Sequence, residues 1–260
     1  MTLNLGWFTA GRGPGSRAMF EHALDAIEHG SLDARVNFVF MQRERGEGEG
    51  SDGFMDLAAS LDIPVVALSS QRFRREHDGD FASHREEYDA WVLDLLRPYR
   101  PDLCVLAGYL LILSQVLTEA YRFVNLHPAL PGGPVGLWQK VIWELIDTRA
   151  AETGNMTFVV TDELDRGPQL TYSRVGLRGP ALDRLWSEIG DADSASLREH
   201  DGEEHPLFKA IRAEGMRREP LLLTETLKAL AAGALRLDGD QPPLDLTEQV
   251  EAALGRPSSP

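Results

Sequence analysis

Short apolar runs alternate with segments of helical periodicity along most of the chain. The runs are rich in β-branched and aromatic residues and stop at Gly, Pro or charged residues, which is typical of buried strands. They lie at 3–9, 36–41, 63–68, 103–107, 124–127, 155–160 and 170–175. The intervening segments have apolar residues three or four positions apart and predict helices at 17–29, 53–61, 83–96, 114–121 and 137–149. This alternation predicts an α/β fold, with a mostly parallel, doubly wound (Rossmann-like) sheet and helices on both faces.

The pattern is weaker in two other places. Residues 69–80 are rich in charge and predict a solvated surface loop, and residues 176–205 are acidic and irregular, which we interpret as a surface excursion. Helical periodicity returns at 207–214, 219–235 and 246–254, with a linker at 238–243. The sequence therefore predicts one domain over 1–236, followed by a linker and a short helical tail over 237–260.

Composition narrows the classes of function. The chain has 26 Lys and Arg against 41 Asp and Glu, and its net charge of −15 argues against a nucleic-acid partner. The seven His residues are scattered and there is no HExxH or CxxC motif, so we expect no metal. Cys104, the single cysteine, lies in an apolar run and is expected to be a buried hydrophobe. No leader-like start and no run of 18 apolar residues occur, so we expect a cytoplasmic protein without a membrane partner.

Two polar residues at the end of the fifth apolar run are the first candidates for chemistry. Asn125 and His127 are two positions apart, so they share a face of an extended strand, and Pro128 ends that strand. Open α/β sheets bind their ligands at strand ends. An amide and an imidazole there can stabilise the oxyanion of a carbonyl under attack, and Asp165, after the next strand, can orient the imidazole. For an isolated Asn-x-His, however, a polar loop with a hydrogen-bonded His is the more common explanation.

Three motifs in a fixed order change this balance. They are LAGYLLILS at 106–114, NLHP at 125–128 and TDELDRGP at 161–168. Together they resemble the folate-dependent formyltransferases, and among these the glycinamide ribonucleotide (GAR) formyltransferases, over residues 3–175 and more faintly to 235. The resemblance implies a formyltransferase catalytic domain that transfers the formyl group of 10-formyltetrahydrofolate to a primary amine. With GAR as the acceptor, the reaction belongs to one-carbon metabolism and purine biosynthesis.

The resemblance also implies a role for each matched residue. Asn125 and His127 would donate hydrogen bonds to the developing oxyanion, and Asp165 would hold His127 and help to accept the proton of the amine. The co-substrate 10-formyltetrahydrofolate would lie in a cleft lined by two segments, namely Leu110, Leu111, Ile112 and Leu113, and Thr161, Asp162, Glu163 and Leu164. The acceptor and its phosphate would contact a third set, namely Gly15, Ser16, Arg17, Arg85 and Gly136. No metal is implied.

Departures from the family pattern concern the acceptor more than the reaction. The loop ALPGGPVG at 129–136 replaces a common SLLP, and Trp138 and Phe158 stand where His is frequent. Leu111 stands where an Arg is usual in GAR formyltransferases. The basic residues of the C-terminal helices fit either a surface cluster or a second anion contact, and they are Arg212, Arg217 and Arg218.

Four alternatives to GAR formylation therefore stay open. The acceptor could be another small amine, such as an amino sugar or an amino acid derivative. A formyltetrahydrofolate hydrolase shares the three catalytic residues but usually has a regulatory domain ahead of them, whereas residue 3 already begins the first strand. A methionyl-tRNA formyltransferase needs a further C-terminal domain and a charge that suits tRNA. A folate- or nucleotide-binding module without activity would not need Asn125, His127 and Asp165 together.

A phosphorylated small-molecule amine is the expected partner, and a homodimer is kept as a hypothesis.

Overall fold

A central sheet carries the fold. Its strands are, in chain order, β1 (Leu3–Thr9), β2 (Ala34–Met41), β3 (Val65–Ala67), β4 (Leu103–Leu106), β5 (Phe123–His127), β6 (Glu152–Val159), β7 (Gln169–Gly176) and β8 (Leu244–Asp245). The computed structural model describes residues 2–161, 166–238 and 241–255. Within them, the eight strands form one sheet in the order β3-β2-β1-β4-β5-β6-β7-β8.

The sheet is mostly parallel, as predicted. Strands β1 to β5 pair in parallel, β6 is antiparallel to both of its neighbours, and β8 is parallel to β7. The four residues of β4 are all buried, which explains their unbroken apolar sequence. The strand order changes direction between β1 and β4. Such a switch point leaves a crevice at the carboxyl ends of the strands, where α/β proteins bind ligands.

Helices cover both faces of the sheet. They are α1 (Pro14–Glu28), α2 (Glu49–Ser60), α3 (Ser70–Glu76), α4 (Arg85–Leu96), α5 (Gln115–Ala120), α6 (Trp138–Asp147), α7 (Pro180–Ile189), α8 (Ser194–His200), α9 (Pro206–Ala231) and α10 (Thr247–Leu254). One core joins the sheet to α1, α2 and α9 through residues such as Trp7, Phe20 and Leu223. The core on the opposite face joins it to α3, α4 and α5 through residues such as Phe8 and Tyr88. The predicted α/β class is therefore confirmed.

The charged stretch at 69–80 was expected to be a loop but contains helix α3. Ser69 caps this helix, since its hydroxyl accepts a hydrogen bond from the backbone N–H of Arg72 at 2.9 Å. Phe73 is the buried aromatic residue of the helix, and its ring meets that of Tyr88 edge-on at 5.2 Å. One aromatic residue among charges gives no visible periodicity, which is why the sequence pattern missed this helix.

The region after β7 is also more regular than expected. Residues 176–205 contain α7 and α8, and Trp186 anchors α7 by donating from its indole to the carbonyl of Leu177 at 2.7 Å. The two helices expected at 207–214 and 219–235 are one helix, α9, with Pro220 in its interior. A proline removes one hydrogen bond of a helix, but buried residues on both sides of Pro220 hold α9 against the sheet.

The last part of the chain packs on the same sheet. Residues 241–255, in the segment expected to be a linker and tail, contribute β8 and α10. Leu246 and Val250 are buried against Leu221 and Leu222 of α9. None of the described helices is both long and apolar enough to span a bilayer.

Candidate active site

Asn125 and His127 lie at the carboxyl end of β5. Within the sheet, Asn125 is opposite Leu106 of β4 and Phe158 of β6. Both side chains share a face of β5 with Phe123, whose ring packs on Phe8 with 5.1 Å between centroids. The motif therefore stands close to the switch point of the sheet, where the crevice is expected.

The amide of Asn125 has a fixed orientation. Its side-chain oxygen accepts a hydrogen bond from the backbone N–H of Leu126 at 2.9 Å. Because the oxygen is used in this way, the NH₂ end is the part of the side chain that can donate to a ligand. Asn125 is only partly buried, so a ligand can reach it.

The imidazole of His127 is buried and is held by the loop that follows β5. Its Nε2 lies 2.8 Å from the carbonyl oxygen of Pro134, and the residue as a whole is only 3% exposed. A carbonyl can only accept, so Nε2 carries the hydrogen and donates it. The loop is shaped by a turn in which the N–H of Gly133 donates to the carbonyl of Leu130 at 2.8 Å, and Gly136 ends it with φ of +104°.

Part of the TDELD motif lies outside the described residues, namely Asp162, Glu163, Leu164 and Asp165. The contact between Asp165 and His127 and this part of the folate cleft thus stay predictions. The flanks of the motif are described. The N–H of Val160 donates to the carbonyl of Phe123 at 2.9 Å, so the chain leaves the sheet beside the first residue of β5, and Thr161 is partly buried.

The segment from Leu110 to Leu113 presents apolar side chains to solvent. Leu110 is 58% exposed and Ile112 is 40% exposed, whereas Leu113 is buried in the core beneath them. Exposed aliphatic residues next to a strand end are typical of a ligand wall. Leu110, Leu111 and Ile112 line a pocket of about 340 Å³ on the α3–α4 side of the sheet.

Two buried polar residues that the sequence did not indicate hold this segment at its ends. The side-chain oxygen of Gln42 accepts from the backbone N–H of Leu110 at 2.8 Å. The carboxylate of Asp89 accepts from the backbone N–H of Ser114 at 2.6 Å and from its hydroxyl at 2.8 Å. Burial raises the pKa of the Asp89 carboxyl to about 6, although the hydrogen bonds from Ser114 oppose that rise.

Arg85 belongs to the pocket of the Leu110 segment. It begins α4 and lines the pocket together with Arg74 and Phe81. Gly15, Ser16 and Arg17 lie instead at the start of α1, which covers the opposite face of the sheet. The structure thus separates Arg85 from the other residues that the resemblance implied for the acceptor's phosphate.

The start of α1 meets the end of β4. Gly108 has φ of +72°, and a Cβ on it would lie 2.7 Å from the Cβ of Ser16, so only glycine fits there. The hydroxyl of Ser16 donates to the carbonyl of Gly13 at 2.9 Å. Arg17 pairs with Glu21 on the same helix and lines a second pocket of about 360 Å³ between the starts of α1 and α2.

A buried ion pair on α9 lies next to Gly15. Oε2 of Glu219 is 3.9 Å from the position of a Cβ on Gly15, and the other carboxylate oxygen pairs with Arg212. Side-chain exposure is 6% for Glu219 and 21% for Arg212. The Arg212 guanidinium also lies 4.8 Å above the ring centre of Trp138. Arg212, expected to lie either in a surface cluster or at an anion contact, is therefore mostly buried in an ion pair beside the start of α1.

Asn155 fixes this part of α9 to the sheet. It is fully buried on β6 and donates to the carbonyl of Gly215 on α9 at 3.1 Å. Gly215 lies between Arg212 and Glu219 on α9, so this bond ties the segment that carries both to β6. Neither Asn155 nor Glu219 was indicated by the sequence, since each acts through a residue remote in the chain.

The comparisons with known proteins agree with this architecture. The Formyl transferase family model matches residues 13–178, more than half of the chain. The phosphoribosylglycinamide formyltransferase of Escherichia coli is 36% identical over 163 residues, which cover 62% of this chain and 69% of that protein. The protein of the same name from Schizosaccharomyces pombe is 26% identical over 205 residues, covering 76% and 94%.

A sheet with a crevice at its switch point, an amide and an imidazole at a strand end, and this match together define a group-transfer enzyme. The chain belongs to the formyl transferase family. The family predicted from the three motifs is thereby confirmed.

Solved structures share the fold. Glycinamide ribonucleotide transformylase 1 of Symbiobacterium toebii superposes with a TM-score of 0.66 at 20% identity, covering 92% of both chains. A formyltetrahydrofolate deformylase from Burkholderia mallei gives 0.62 at 18% identity, covering 92% of this chain and 69% of the other. Because a transferase and a deformylase match about equally well, the fold does not distinguish these two reactions.

Proposed function

We propose that this protein transfers the formyl group of 10-formyltetrahydrofolate to the amine of GAR, a step of purine biosynthesis. The observation that carries the proposal is the pairing of Asn125 and His127 at the end of β5, in a chain whose E. coli and S. pombe relatives are named phosphoribosylglycinamide formyltransferases. Both donors lie at the end of β5, close to the switch point, and contacts with the backbone orient both side chains, as catalytic donors require.

The reaction begins when the neutral amine of the acceptor attacks the formyl carbon, and the formyl oxygen becomes an oxyanion. The NH₂ of Asn125 and the Nε2–H of His127 donate to that oxygen. Asp165 orients His127 and helps to move the proton of the amine. The intermediate collapses by breaking the bond between the formyl carbon and N10, and N10 takes up the proton, so that tetrahydrofolate leaves. The Nε2–H of His127 reaches the oxyanion by giving up, or sharing, its hydrogen bond to Pro134.

The folate binds on the α3–α4 side of the crevice. The exposed side chains of Leu110 and Ile112, together with the partly buried Leu111, offer an apolar wall for its ring system. Arg74 and Arg85 line the same pocket and offer cations for its carboxylates. Arg85 is therefore assigned to the folate and not to the acceptor's phosphate. Leu113 supports this wall from the core, and Thr161 to Leu164 stay the predicted opposite side.

The acceptor binds on the α1–α9 side. Backbone N–H groups at the start of α1, around Gly15 to Arg17, favour a phosphate because the helix dipole is positive there. Arg212 supplies a side-chain cation near these N–H groups, because its ion-pair partner Glu219 lies beside Gly15. Gly136 stays a predicted contact of the acceptor, as the resemblance implied.

A different amine acceptor is the second candidate. The buried carboxylate of Glu219 lies where the phosphate of GAR is expected, and a carboxylate repels a phosphate. An acceptor with a cationic or hydrogen-bonding group at that position would suit Glu219 better.

One assay separates the candidates. Purified protein is supplied with 10-formyltetrahydrofolate and either GAR, a panel of amino sugars and amino acid derivatives, or no acceptor, and products are identified by mass spectrometry. Formyl-GAR supports the proposal. If only another amine is formylated, GAR is rejected as the acceptor, while the assignment as a formyltransferase is retained. Release of formate without an acceptor, at the same rate as with GAR, would identify a hydrolase and overturn the proposal.

A further inference from the structure

Two histidines and a glutamate converge between α3 and α4. His77 follows the last residue of α3, His84 precedes the first residue of α4, and Glu87 lies in the first turn of α4. One potential ligand atom from each side chain lies within 4.8 Å of those of the other two. No metal was expected from the sequence, because the seven His residues are scattered and no HExxH or CxxC motif occurs.

Hydrogen bonding sets the tautomer of His77. Its Nδ1 lies 2.9 Å from the carbonyl oxygen of Phe73, so Nδ1 carries the hydrogen. The neutral ring then presents the lone pair of Nε2 to Oε2 of Glu87, 3.3 Å away. Two acceptors at this distance need a cation between them, either a proton or a metal ion. Metal-binding imidazoles are commonly oriented by such a bond from their other nitrogen to a carbonyl.

The spacing fits a tetrahedral metal ion. Metal–ligand distances of about 2.0–2.1 Å place neighbouring tetrahedral ligands about 3.4 Å apart. Oε2 of Glu87 is 3.3 Å from Nε2 of His77 and 3.4 Å from Nδ1 of His84. Packing holds the rings in place, since His77 lies between Phe73, at 4.1 Å between ring centroids, and His84, at 4.2 Å. Side-chain exposure of 16% for His77 and 42% for His84 leaves room for entry of an ion and for a water ligand.

We propose that His77 Nε2, His84 Nδ1 and the Glu87 carboxylate bind a divalent transition-metal ion of the zinc class. Imidazole and carboxylate ligands suit such ions. The ion joins the end of α3 to the start of α4 and so holds the turn between them. That turn contributes Gly79, Asp80, Phe81 and Ala82 to the pocket that Arg85 and the Leu110 segment also line. The metal thus shapes one wall of this pocket, and the inference does not depend on the identity of the acceptor.

Zinc itself is the probe. Untagged protein is freed of metal with a chelator and titrated with Zn²⁺ by calorimetry at neutral pH. We expect one ion per chain with micromolar or tighter affinity, and at least tenfold weaker binding after Glu87→Gln or His84→Ala. The matched control is His29→Ala, because His29 also pairs with a carboxylate, Asp25 at 3.3 Å, but belongs to no group of three potential ligands among the described residues. This control should leave the affinity unchanged.

Two further readings test the ligand set and the role of the ion. The Co²⁺-loaded wild type should show the visible absorption of tetrahedral cobalt, and Glu87→Gln should lose it. Zn²⁺ should also raise the Tm of the wild type and slow amide exchange in residues 77–84, with neither effect in the variants. Absence of one-to-one binding, or binding that survives both ligand variants, overturns the site. Binding without stabilisation overturns its role in holding the turn.

Discussion

The two walls that we propose for the crevice are built in different ways. The folate-side wall consists of consecutive residues, Leu110 to Ile112, whose segment is held through backbone groups by Gln42 and Asp89. The acceptor-side wall consists of side chains from separate elements, with Arg212 paired to Glu219 and stacked on Trp138. A wall made of one contiguous, backbone-held segment keeps its shape when side chains change. A wall made of side-chain pairs changes its chemistry with each substitution, so the acceptor wall is the one that can be adapted to a substrate.

The largest effect is expected at the end of β5. His127→Ala and Asn125→Ala each remove a donor to the oxyanion, so we expect kcat to fall roughly 100- to 1000-fold. The KM values for both substrates should change little, since both donors act mainly on the oxyanion, which develops only towards the transition state. Steady-state kinetics with circular dichroism to verify folding measures this. The double variant should lose less than the product of the two single losses. A single variant with near wild-type kcat would remove that residue from the mechanism.

The folate-side wall is expected to respond to pH through Asp89. Burial raises the pKa of its carboxyl from the ordinary 3.8 to about 6. A carboxyl with a raised folded-state pKa favours folding below its unfolded pKa, and this contribution is lost as pH rises to the folded value. Between about pH 4 and pH 6 the wild type should therefore lose up to about 3 kcal/mol of unfolding free energy relative to Asp89→Asn. Urea denaturation of both proteins across this range measures the difference, and a difference independent of pH would contradict it.

The acceptor-side wall is expected to respond to loss of its ion pair. Arg212→Met leaves Glu219 buried without its partner, so we expect the unfolding free energy to fall by about 2 kcal/mol, less than for a fully buried pair. The KM for the acceptor should rise while that for the folate stays unchanged. Arg217→Met is the matched control, because Arg217 is 54% exposed and pairs with Glu214 on the same helix. That control should change stability by less than about 0.5 kcal/mol. Equal changes in both KM values would remove the distinction between the walls.

The smallest effect separates the two possible roles of Arg85. Loss of a charge-assisted hydrogen bond costs about 1.5 kcal/mol or more. Arg85→Ala should therefore raise the KM for 10-formyltetrahydrofolate about tenfold and leave the KM for the acceptor within about twofold. Arg75→Ala, an exposed arginine of α3, serves as the control. A rise in the KM for GAR instead would show that Arg85 binds the phosphate of the acceptor.

The same contrast explains how much the sequence could predict. The strands and the NLHP motif could be predicted from the sequence, because each apolar run and the motif itself lie within one short stretch of chain. Helix α3 could not be predicted, because its packing rests on Phe73 alone, and the continuity of α9 across Pro220 depends on tertiary contacts that override local propensity. The assignment of Leu110 to Leu113 to the folate cleft stays a prediction, and the structure shows Leu110 and Ile112 exposed and Leu113 buried.

The acceptor-side wall was hidden for a related reason. Glu219 meets Gly15, and Asn155 meets Gly215, only once the fold has formed. No spacing rule links residues so remote in the chain. The assignment of Asp165 and its neighbours stays a prediction from the motif.

The hydrogen bond between His127 and the carbonyl of Pro134 has a consequence for selectivity between ground state and transition state. The Pro134 oxygen is a neutral acceptor, and so is the formyl oxygen of a bound but unreacted co-substrate. When the formyl oxygen replaces the Pro134 oxygen as the acceptor of His127, the binding free energy changes very little. The imidazole therefore contributes little to binding of the unreacted co-substrate. An oxyanion is a stronger acceptor by roughly a factor of two. In the proposed mechanism, the Pro134 carbonyl thus competes with the substrate for the hydrogen of His127, and only developing negative charge displaces it.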